Sequence, residues 1–408
     1  MNATQTLTPI DQALKQILAG LRPVTGSERV ALEAALHRVL ARPLRATIDV
    51  PGYDNSGMDG YALNSQSLAR GQLRFPVSQR IAAGHMGSPL MAGTAARIFT
   101  GAPIPPGADA VVMQENCRVD GDFVEILQTV YAGENVRRAG ADVAVGEQLF
   151  PAGHRLRAPD LGLLASVGTL EVEVRRPLRV ALLTTGDELV RPGQRLQPGQ
   201  IYNSNFYMVS GMLRELGHEV IDCGIVQDNL QATREALLAA AQTADCIISS
   251  GGVSVGEEDH VRHAVEDTGR LAFWKLAIKP GKPFAFGEVG DTPFFGLPGN
   301  PVSSFINFAL VVRPCLERLA GGLGKPALPL SLPVDFERPL SGIRQEYLRV
   351  RCISERGQLR MQLTGDQSSG VLSSVSHCDG LAVVPAQSAV RRGDVLRFLP
   401  LSAIVGLD

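Results

Sequence analysis

The segment SSGGVSVGEEDH, residues 249–260, combines glycines, serines and carboxylates in a way that predicts phosphate chemistry. It follows the apolar run DCII, and a strand that ends in Ser-Gly-Gly can bring backbone amides close to an anion. Gly251, Gly252 and Ser254 are therefore candidates for binding phosphate. Asp259 comes behind them, and a carboxylate beside a phosphate is expected where Mg²⁺ bridges the two. A plain turn at the end of a strand is the alternative for the glycines.

Polar residues also follow the other apolar runs of this part of the chain. Ligands of parallel sheets bind beyond the carboxyl ends of the strands, so these positions predict a polar site along one edge of a sheet. They are Asp187 and Glu188 after ALLTTG, Asp228 after DCGIV, Lys279 and Lys282 after FWKLAI, and Ser303 after FFGLPG. Simpler roles stay open, because Asp228 and Ser303 can cap helices and the Asp-Glu pair can stabilise a turn.

Three lysines lie in the segment LAFWKLAIKPGKP, residues 271–283. In an extended strand, Lys275 and Lys279 share one face with Ala277, while Leu276 and Ile278 point to the other. Cations on one face of an otherwise apolar strand are costly unless they meet anions, so the pattern predicts an anion site that also includes Lys282. A solvated edge strand is the alternative.

Other well-known motifs for phosphate binding and acyl transfer are missing. The pattern G-x-x-x-x-G-K-[ST] fails because both Gly-Lys pairs are followed by proline, and GGVSVG does not match G-x-G-x-x-G. No G-x-S-x-G nucleophile elbow occurs in a supporting context. What remains is a backbone-amide site for phosphate, with lysines nearby and several carboxylates for a hard cation.

The elements that must position these residues alternate regularly from residue 177 to 326. Strands are predicted at LRVALLTTG, HEVIDCGIV, DCIISSGG, LAFWKLAI, PFAFGEV and TPFFGLPG. Helices are predicted at NSNFYMVSGMLRELG, DNLQATREALLAAAQTA, EDHVRHAVEDTG and PVSSFINFALVVRPCLERLAGG. Near-continuous apolar strands separated by helices indicate a mostly parallel sheet covered on both faces, an α/β/α arrangement.

The flanking regions have a different texture. Glycine and proline punctuate short β-like runs from 46 to 145, which predicts a small β-rich domain. Alternating runs from 330 to the end predict a small β-barrel or sandwich. Before these, SERVALEAALHRVLAR at 27–42 predicts a helix, and another is expected to begin at Pro9 with Thr8 as its cap.

Composition excludes several classes of function. The net charge of −2 in 408 residues and a pI of about 6.4 argue against a general nucleic-acid or anionic-membrane partner. No stretch approaches the roughly 18 apolar residues of a membrane span. The first residues lack the basic and apolar regions of a secretory signal, and the six cysteines are widely scattered. We therefore expect free thiols and a cytoplasmic protein.

Taken together, the motifs resemble the molybdopterin molybdenumtransferase family, which includes MoeA and the gephyrin E domain. The resemblance covers nearly the whole chain and rests on the order of PGYDNSGMDGYAL (51–63), FTGAPIPPGADAVVMQE (99–115), NVRRAGADVAVGEQL (135–149), TTGDEL (184–189), YNSN (202–205), SSGGVSVGEEDHV (249–261), KPGKPFAFG (279–287) and GLPGNPVSS (296–304). Any one of these motifs is weak evidence, but their order together is specific.

The resemblance implies an α/β multidomain protein that forms an elongated homodimer. Its four domains are an elongated linking domain (1–45 with 146–176), a small β-rich domain (46–145), the molybdopterin-binding α/β/α domain (177–326) and a C-terminal β-barrel (327–408). Residues 1–26 either belong to the linking domain or pack on the central one. The implied reaction joins molybdate to adenylylated molybdopterin with Mg²⁺, and it yields molybdenum cofactor and AMP. Transient contacts with molybdopterin adenylyltransferase and with cofactor-receiving proteins are also implied.

Residue roles transfer from the family only at matching motif positions. Asp228 and Asp259 match acids that handle metal and substrate, and they join Lys275 and Lys279 in the catalytic set. The substrate-binding positions are Asp187 and Glu188 in the pterin motif, Gly251, Gly252 and Ser254 in the glycine loop, Lys282 and Ser303 at the oxyanion site, and Arg349 and Ser369 from the C-terminal region.

Three further positions, Asp59, Thr100 and Asp142, fall in the small β-rich domain. In the family this domain faces the pterin site of the other subunit, so the resemblance implies that these residues complete a cleft shared between two subunits, Asp59 and Asp142 in the catalytic set and Thr100 in substrate binding. For Asp59 the alternative is a tight loop in which its carboxylate bonds backbone amides.

Two other functions stay open. A gephyrin-like scaffold can bind a peptide between domains without catalysis, although retained acids and lysines argue against a purely structural role. A molybdopterin adenylyltransferase usually carries a Gly-Gly-Thr-Gly loop, whereas this chain has Gly-Gly-Val-Ser at 251–254, which favours metal insertion.

Overall fold

A computed structural model describes residues 7–24, 26–253, 260–324, 330–355 and 357–406. Helix α1 (Ile10–Gly20) begins after Pro9, and no side chain caps its first turn, so the expected Thr8 cap is not formed. The chain continues through strands β1 (Ser27–Ala31) and β2 (Leu44–Arg45). Ala13 and Ile17 of α1 are fully or almost fully buried and pack into the core beneath the central sheet.

The helix predicted over 27–42 is wrong. The segment forms β1, a short 3-10 helix (Leu32–Ala34) and irregular backbone that includes His37 at a φ of 64°. Its apolar residues repeat at helical spacing, but Val30 and Leu40 pack instead against a strand more than 130 residues later in the sequence. Pairing with that distant strand overrides the local preference for helix.

The small β-rich region contains one short helix and many short strands. In chain order they are β3 (Asn55–Ser56), β4 (Gly60–Leu63), α2 (Ser65–Ala69), β5 (Arg74–Ile81), β6 (Ala95–Ile98), β7 (Ala110–Met113), β8 (Cys117–Asp120), β9 (Phe123–Ile126) and β10 (Val136–Arg137). Among the described residues, six of these strands form a sheet in the order β7-β4-β6-β5-β9-β8. Leu63, Phe75 and Val124 are completely buried in its core.

The next elements return to the N-terminal strands. They are β11 (Gln148–Phe150), α3 (Ala158–Ser166) and β12 (Glu171–Arg175). β11 pairs with β2 and β12 pairs with β1, both antiparallel, so two stretches of chain on either side of the β-rich region form one unit.

The central region supplies the alternating strands and helices that the sequence predicts. They are β13 (Arg179–Thr185), β14 (Leu189–Val190), β15 (Ile201–Tyr202), α4 (Ser204–Glu215), β16 (Glu219–Val226), α5 (Leu230–Thr243), β17 (Cys246–Ser250), α6 (His260–Thr268), β18 (Gly269–Lys275), β19 (Ile278–Lys279), β20 (Pro283–Val289), β21 (Thr292–Leu297), α7 (Pro301–Asn307) and α8 (Arg313–Leu319), with a π-helical turn (Phe308–Val312) between α7 and α8.

Within the described ranges, the central sheet has the order β16-β13-β17-β21-β20-β18. The first four strands are parallel, and β20 runs antiparallel to both of its neighbours. Because two antiparallel steps restore the direction, β18 points the same way as β21. Apolar residues of α1, α4, α7 and α8 cover one face, and those of α5 and α6 cover the other. The expected mostly parallel sheet covered on both faces is confirmed, and the antiparallel strand β20 is an addition that the sequence did not predict.

The C-terminal region is mainly antiparallel β-structure. Its elements are β22 (Leu330–Pro333), β23 (Gln345–Glu355), β24 (Gln358–Leu363), α9 (Ser373–Ser376), β25 (Gly380–Val384), β26 (Val395–Pro400) and α10 (Leu401–Val405). The strand order is β19-β23-β25-β26-β22, with β24 also paired to β23. An isolated bridge between Val334 and Met361 brings β22 and β24 together without a ladder, so a closed barrel stays a prediction.

No helix in the described part of the chain is both long and apolar enough to cross a membrane. Each cysteine is free, and none is strongly exposed, as expected from their scattered positions.

Candidate functional site

The topology places the ends of five strands at one edge of the central sheet. β13, β16, β17 and β21 are parallel, and β18 points in the same direction, so their carboxyl ends lie together. β20 begins at this edge, directly after Lys282. The polar residues that follow these strands therefore share one rim, which is the arrangement that strand-end ligands require.

Two acids from neighbouring strand ends are in contact. The backbone amide of Asp228, after β16, donates to Oδ1 of Asp187, after β13, at 3.2 Å. The cap of α5 is Asn229, whose Oδ1 accepts from the Ala232 amide at 2.8 Å. Capping by Asp228 is thus ruled out, and Asp187 and Asp228 are both exposed. Glu188 is also exposed on the same loop.

Neighbouring atoms leave no room for a side chain at the two glycines that follow β17. Gly251 has a φ of +100°, and a Cβ there would lie 2.6 Å from the Thr185 carbonyl oxygen. Gly252 has a φ of +65°, and its Cβ would lie 2.3 Å from Cγ2 of Val261. The amide of Gly251 donates to the Leu297 carbonyl at 3.0 Å. This amide is therefore bonded to β21, and the part of Gly251 in substrate binding stays a prediction.

Ser254 and Asp259 lie outside the described residues. The predicted roles of the serine in phosphate binding and of the acid in metal binding stay predictions.

A residue that the strand-end argument missed connects this rim. Nδ2 of Asn205, in the first turn of α4, donates at 2.8 Å both to Oγ of Ser250 and to the Gly299 carbonyl. It therefore holds the end of β17 against the loop that follows β21. Oδ1 of Asn205 is buried, and no group within the described ranges donates to it. The YNSN motif contained this signal, although only the fold shows which loops the side chain joins.

The predicted strand with lysines on one face is broken in two. β18 ends at Lys275, and β19 joins the C-terminal sheet, where Lys279 is the register partner of Glu346. The alternation itself is correct, since Leu276 and Ile278 are fully buried while half of the Lys279 side chain is exposed. Lys282 is exposed, and its carbonyl accepts from the Leu276 amide at 2.8 Å.

Lys279 opens onto a cavity of about 430 Å³ between the central and C-terminal regions. Its lining includes the cations Lys279, Arg338 and Arg349, together with Glu346 and Asp366. The remaining lining residues are Pro280, Leu348, Leu363, Gly365, Gln367 and Ser368. The structure thus brings together two predicted residues that are 70 positions apart in the sequence, Lys279 and Arg349.

Arg349 is completely buried and binds the chain around it. Its Nε donates to Oγ of Ser374 at 3.1 Å, and its Nη2 donates to the Ser368 carbonyl at 3.1 Å. Longer bonds of 3.4 Å reach the carbonyls of Tyr347 and Asp366. Burial lowers the pKa of the Arg349 guanidinium to about 10, so the group is still charged at neutral pH. In this structure Arg349 anchors the 365–368 loop that forms one wall of the cavity.

The predicted serines lie near each other but not in the cavity wall. The amide of Val302, in the first turn of α7, donates to the Ser369 carbonyl at 3.1 Å. This bond places Ser369 next to the turn that carries Ser303, whose side chain is buried. The two serines therefore come from a junction between the central and C-terminal regions.

In the β-rich region the structure joins two further predicted residues. Oδ1 of Asp59 accepts from the Thr100 amide at 2.7 Å and from the Thr100 hydroxyl at 2.8 Å. The hydrogen bond from the Thr100 amide has the larger effect and that from the Thr100 hydroxyl the smaller, and together they hold the pKa of Asp59 below its ordinary value. Bonding of the carboxylate to a backbone amide, which was the simpler alternative for Asp59, is thus observed. Asp142 is exposed, and its own amide donates to the Val50 carbonyl at 3.0 Å.

The part of the chain that the structure describes does not contain a complete set of metal-binding side chains. No group of three or more His, Cys, Asp or Glu side chains is positioned there to hold a metal ion. Asp187 and Asp228 follow neighbouring strands and are joined by the bond from the Asp228 amide, and their carboxylates are hard oxygen donors of the type that Mg²⁺ prefers. Their chemistry fits the predicted magnesium ion, and the predicted part of Asp259 in binding it stays a prediction.

Three segments of the chain match models of known protein families. The MoeA N-terminal region, domains I and II, matches residues 8–168; a probable molybdopterin-binding domain matches 181–318; and the MoeA C-terminal region, domain IV, matches 331–401. The molybdopterin molybdenumtransferase of Haemophilus influenzae is 36% identical over 97% of this chain and 99% of its own length. The chain belongs to the molybdopterin molybdenumtransferase family.

Other relatives agree with this membership. The molybdopterin molybdenumtransferase of a Nostoc species is 39% identical over 88% of this chain and 85% of its own length. Among solved structures, the molybdopterin biosynthesis MoeA protein of Pyrococcus horikoshii OT3 matches with a TM-score of 0.83 and 28% identity, covering 96% of this chain and 99% of that one. The family predicted from the ordered motifs is thereby confirmed.

Proposed function

We propose that this protein is a molybdopterin molybdenumtransferase of molybdenum cofactor biosynthesis. It inserts molybdate into adenylylated molybdopterin, with Mg²⁺, and releases AMP and molybdenum cofactor. The observation that carries the proposal is the cavity in which Lys279, Arg338 and Arg349 converge. A tetrahedral dianion such as molybdate needs cations and N–H donors around it, and this cavity supplies both.

The rim of the central sheet is the matching place for the adenylylated pterin. Its acids Asp187 and Asp228, joined by the bond from the Asp228 amide, lie at the strand ends where ligands of such sheets bind. We assign Asp228 and Asp259 as the magnesium ligands, and Glu188, Gly252 and Ser254 as further contacts to the pterin or its phosphates. Mg²⁺, when bound, would offset the negative charge of the phosphoanhydride.

The chain's own residues mainly orient and neutralise the reactants. Lys279 and Lys282 present ammonium groups to oxyanions, and Arg349 fixes the loop that walls the cavity. Ser303 and Ser369 come together at the junction beside α7. Lys275 ends β18 at the same rim. Holding two anions near each other, with the repulsion between them neutralised, lowers the barrier for their reaction.

We also propose a homodimer in which Asp59, Thr100 and Asp142 complete the partner subunit's cleft. The bond from Thr100 to Asp59 supports this role because it fixes the carboxylate on an exposed loop. A cytoplasmic location fits six free thiols, which a reducing compartment maintains. Transient contacts with molybdopterin adenylyltransferase and with cofactor-receiving proteins would supply substrate and remove product.

The four-domain division remains part of the proposal. Pairing of β1 with β12 and of β2 with β11 supports a linking domain made of 1–45 and 146–176. The boundaries 46–145, 177–326 and 327–408 follow the changes of sheet along the chain. α1, at the start of the first segment, packs on the central core.

AMP release tests the proposal directly. Purified protein supplied with adenylylated molybdopterin, molybdate and Mg²⁺ should release AMP, and Asp228→Ala should abolish that release without unfolding the protein. Asp291→Ala is the matched control, because this exposed acid lies in the turn between β20 and β21 at the opposite edge of the sheet. Normal turnover by Asp228→Ala would contradict the assignment of Asp228. Absence of AMP release from the unmodified protein would favour a binding role instead.

A further inference from the structure

The carboxylate of Glu346 lies in the wall of the cavity that we propose binds an oxyanion, where a negative charge is not expected. It lines the cavity beside the cations, and only 6% of its side chain is exposed. Its Oε1 accepts from Nζ of Lys279 at 2.9 Å, and its Oε2 accepts from Nη2 of Arg338 at 3.3 Å. Both oxygens are therefore directed at cations that face the same space.

This carboxylate is ionised at neutral pH. Burial by itself would raise the pKa of Glu346, but Lys279 and Arg338 outweigh burial and hold that pKa below its ordinary value. The charge is also fixed in place by the backbone, because Lys279 and Glu346 are register partners where β19 meets β23. A negative charge thus stands permanently next to two cations of the cavity.

Stability alone gives a weak reason for this arrangement. Half of the Lys279 side chain and 30% of the Arg338 side chain are exposed. Ion pairs with such exposed cations contribute at most about 1 kcal/mol, whereas burying a carboxylate has a desolvation cost. The arrangement has a clearer consequence for ligand binding, because any oxyanion that enters must share the same two cations.

We propose that Glu346 is an internal counter-ion that competes with the incoming oxyanion for Lys279 and Arg338, and so weakens binding of a tetrahedral dianion. The inference rests on the proposed function in one respect, namely that Lys279 contacts the oxyanion. Counted over the part of the chain that the structure describes, the cavity lining has three cationic residues and two anionic ones, which leaves a single excess positive charge. Weakened binding keeps the oxyanion exchangeable until the second substrate arrives.

Titration calorimetry with sodium molybdate alone and the full-length protein tests the inference without requiring turnover. Glu346→Gln removes one negative charge and nearly preserves the shape of the side chain. A unit charge acting on a dianion at roughly 6 Å in a water-like dielectric amounts to about 1.4 kcal/mol, or about tenfold in Kd. We therefore expect Glu346→Gln to bind molybdate about tenfold more tightly. A merely damaged site would bind more weakly.

Glu355→Gln is the matched control. Glu355 lies at the far end of the same strand, β23, and also pairs with an arginine, Arg360, at 3.6 Å. Nine residues of extended strand separate it from Glu346, about 30 Å, which is well beyond the screening length in physiological salt. The same charge change there should leave the molybdate Kd unchanged.

Glu346→Asp provides a second, independent test, which holds even if Glu346→Gln does not fold. It retains the charge but shortens the side chain, so a counter-ion role predicts a Kd within about twofold of the wild-type value. Weaker binding in either Glu346 variant would show that Glu346 aligns the cations, and an unchanged Kd in Glu346→Gln would show that it has no influence; both results overturn the inference.

Failure of the underlying site has a different signature. If Lys279→Gln leaves the molybdate Kd unchanged, or if the unmodified protein binds no molybdate, the assignment of the cavity in the proposed function is wrong. If Lys279→Gln weakens binding but Glu346→Gln does not strengthen it, only the counter-ion inference fails.

Discussion

Gly251→Ala tests whether the glycines after β17 are required by the fold of the strand end. The added Cβ would lie 2.6 Å from the Thr185 carbonyl oxygen and 2.9 Å from Thr185 Oγ1. Both atoms belong to the neighbouring strand β13, whose carbonyl cannot swing away as a flexible side chain would. The substitution must therefore either separate β13 from β17 or distort a backbone that already has a φ of +100°.

The expected magnitude follows from two contributions. A non-glycine residue in the left-handed region costs about 1–2 kcal/mol. Displacing Gly251 also weakens its 3.0 Å bond to the Leu297 carbonyl, which contributes about 1 kcal/mol. With the close contact added, we expect Gly251→Ala to lower the local free energy of opening by about 2–4 kcal/mol.

Hydrogen exchange of a peptide covering 246–251, followed by mass spectrometry, measures this local opening in a chain with several domains. Gly290→Ala is the matched control, since Gly290 has a φ of +57° and no described heavy atom within 4 Å of the added Cβ. Gly290→Ala introduces the backbone strain without the close contact. We therefore expect the free energy of opening of its own turn, measured by hydrogen exchange, to fall by about 1 kcal/mol. An equal decrease in the local free energy of opening for Gly251→Ala and Gly290→Ala would refute the argument that the Thr185 carbonyl excludes a side chain.

Two further predictions concern the buried basic side chains Arg349 and His218. Arg349→Met removes the donors to three carbonyls, so exchange of 365–368 should accelerate by an amount equivalent to about 2–4 kcal/mol, and AMP release should fall. Arg349→Lys should restore little, because one ammonium cannot replace the forked guanidinium; full recovery would contradict this role. Burial lowers the pKa of His218 from 6.5 to about 4. Between pH 6.5 and pH 4 the imidazole of His218 is protonated in the unfolded chain but neutral in the folded protein. The free energy of unfolding is therefore highest above pH 6.5 and decreases as the pH falls toward 4. At pH 5 the loss should reach about 2 kcal/mol. The thermal midpoint should consequently fall less on acidification in His218→Leu, and parallel pH profiles for the two proteins would refute the prediction.

The sequence predicted the central sheet and its polar rim well, because both follow from local pattern. Apolar strands joined by helices require parallel pairing, and parallel pairing brings strand ends to one edge. The contact between Asp187 and Asp228 is a direct result of that rule. Helical spacing over 27–42 misled for the opposite reason, since a partner strand far along the chain, β12, decides the conformation of β1.

The sequence by itself thus determined the family, the order of the central strands and helices, and which polar residues follow each strand. The tertiary structure decided which groups meet. It joined Lys279 to Glu346 by pairing β19 with β23, and it used the amide of Gly251 to bond β21. It also turned Arg349 toward the carbonyls of a neighbouring loop. These contacts depend on register between segments that are distant in the chain, and hydrophobic periodicity carries no information about such register.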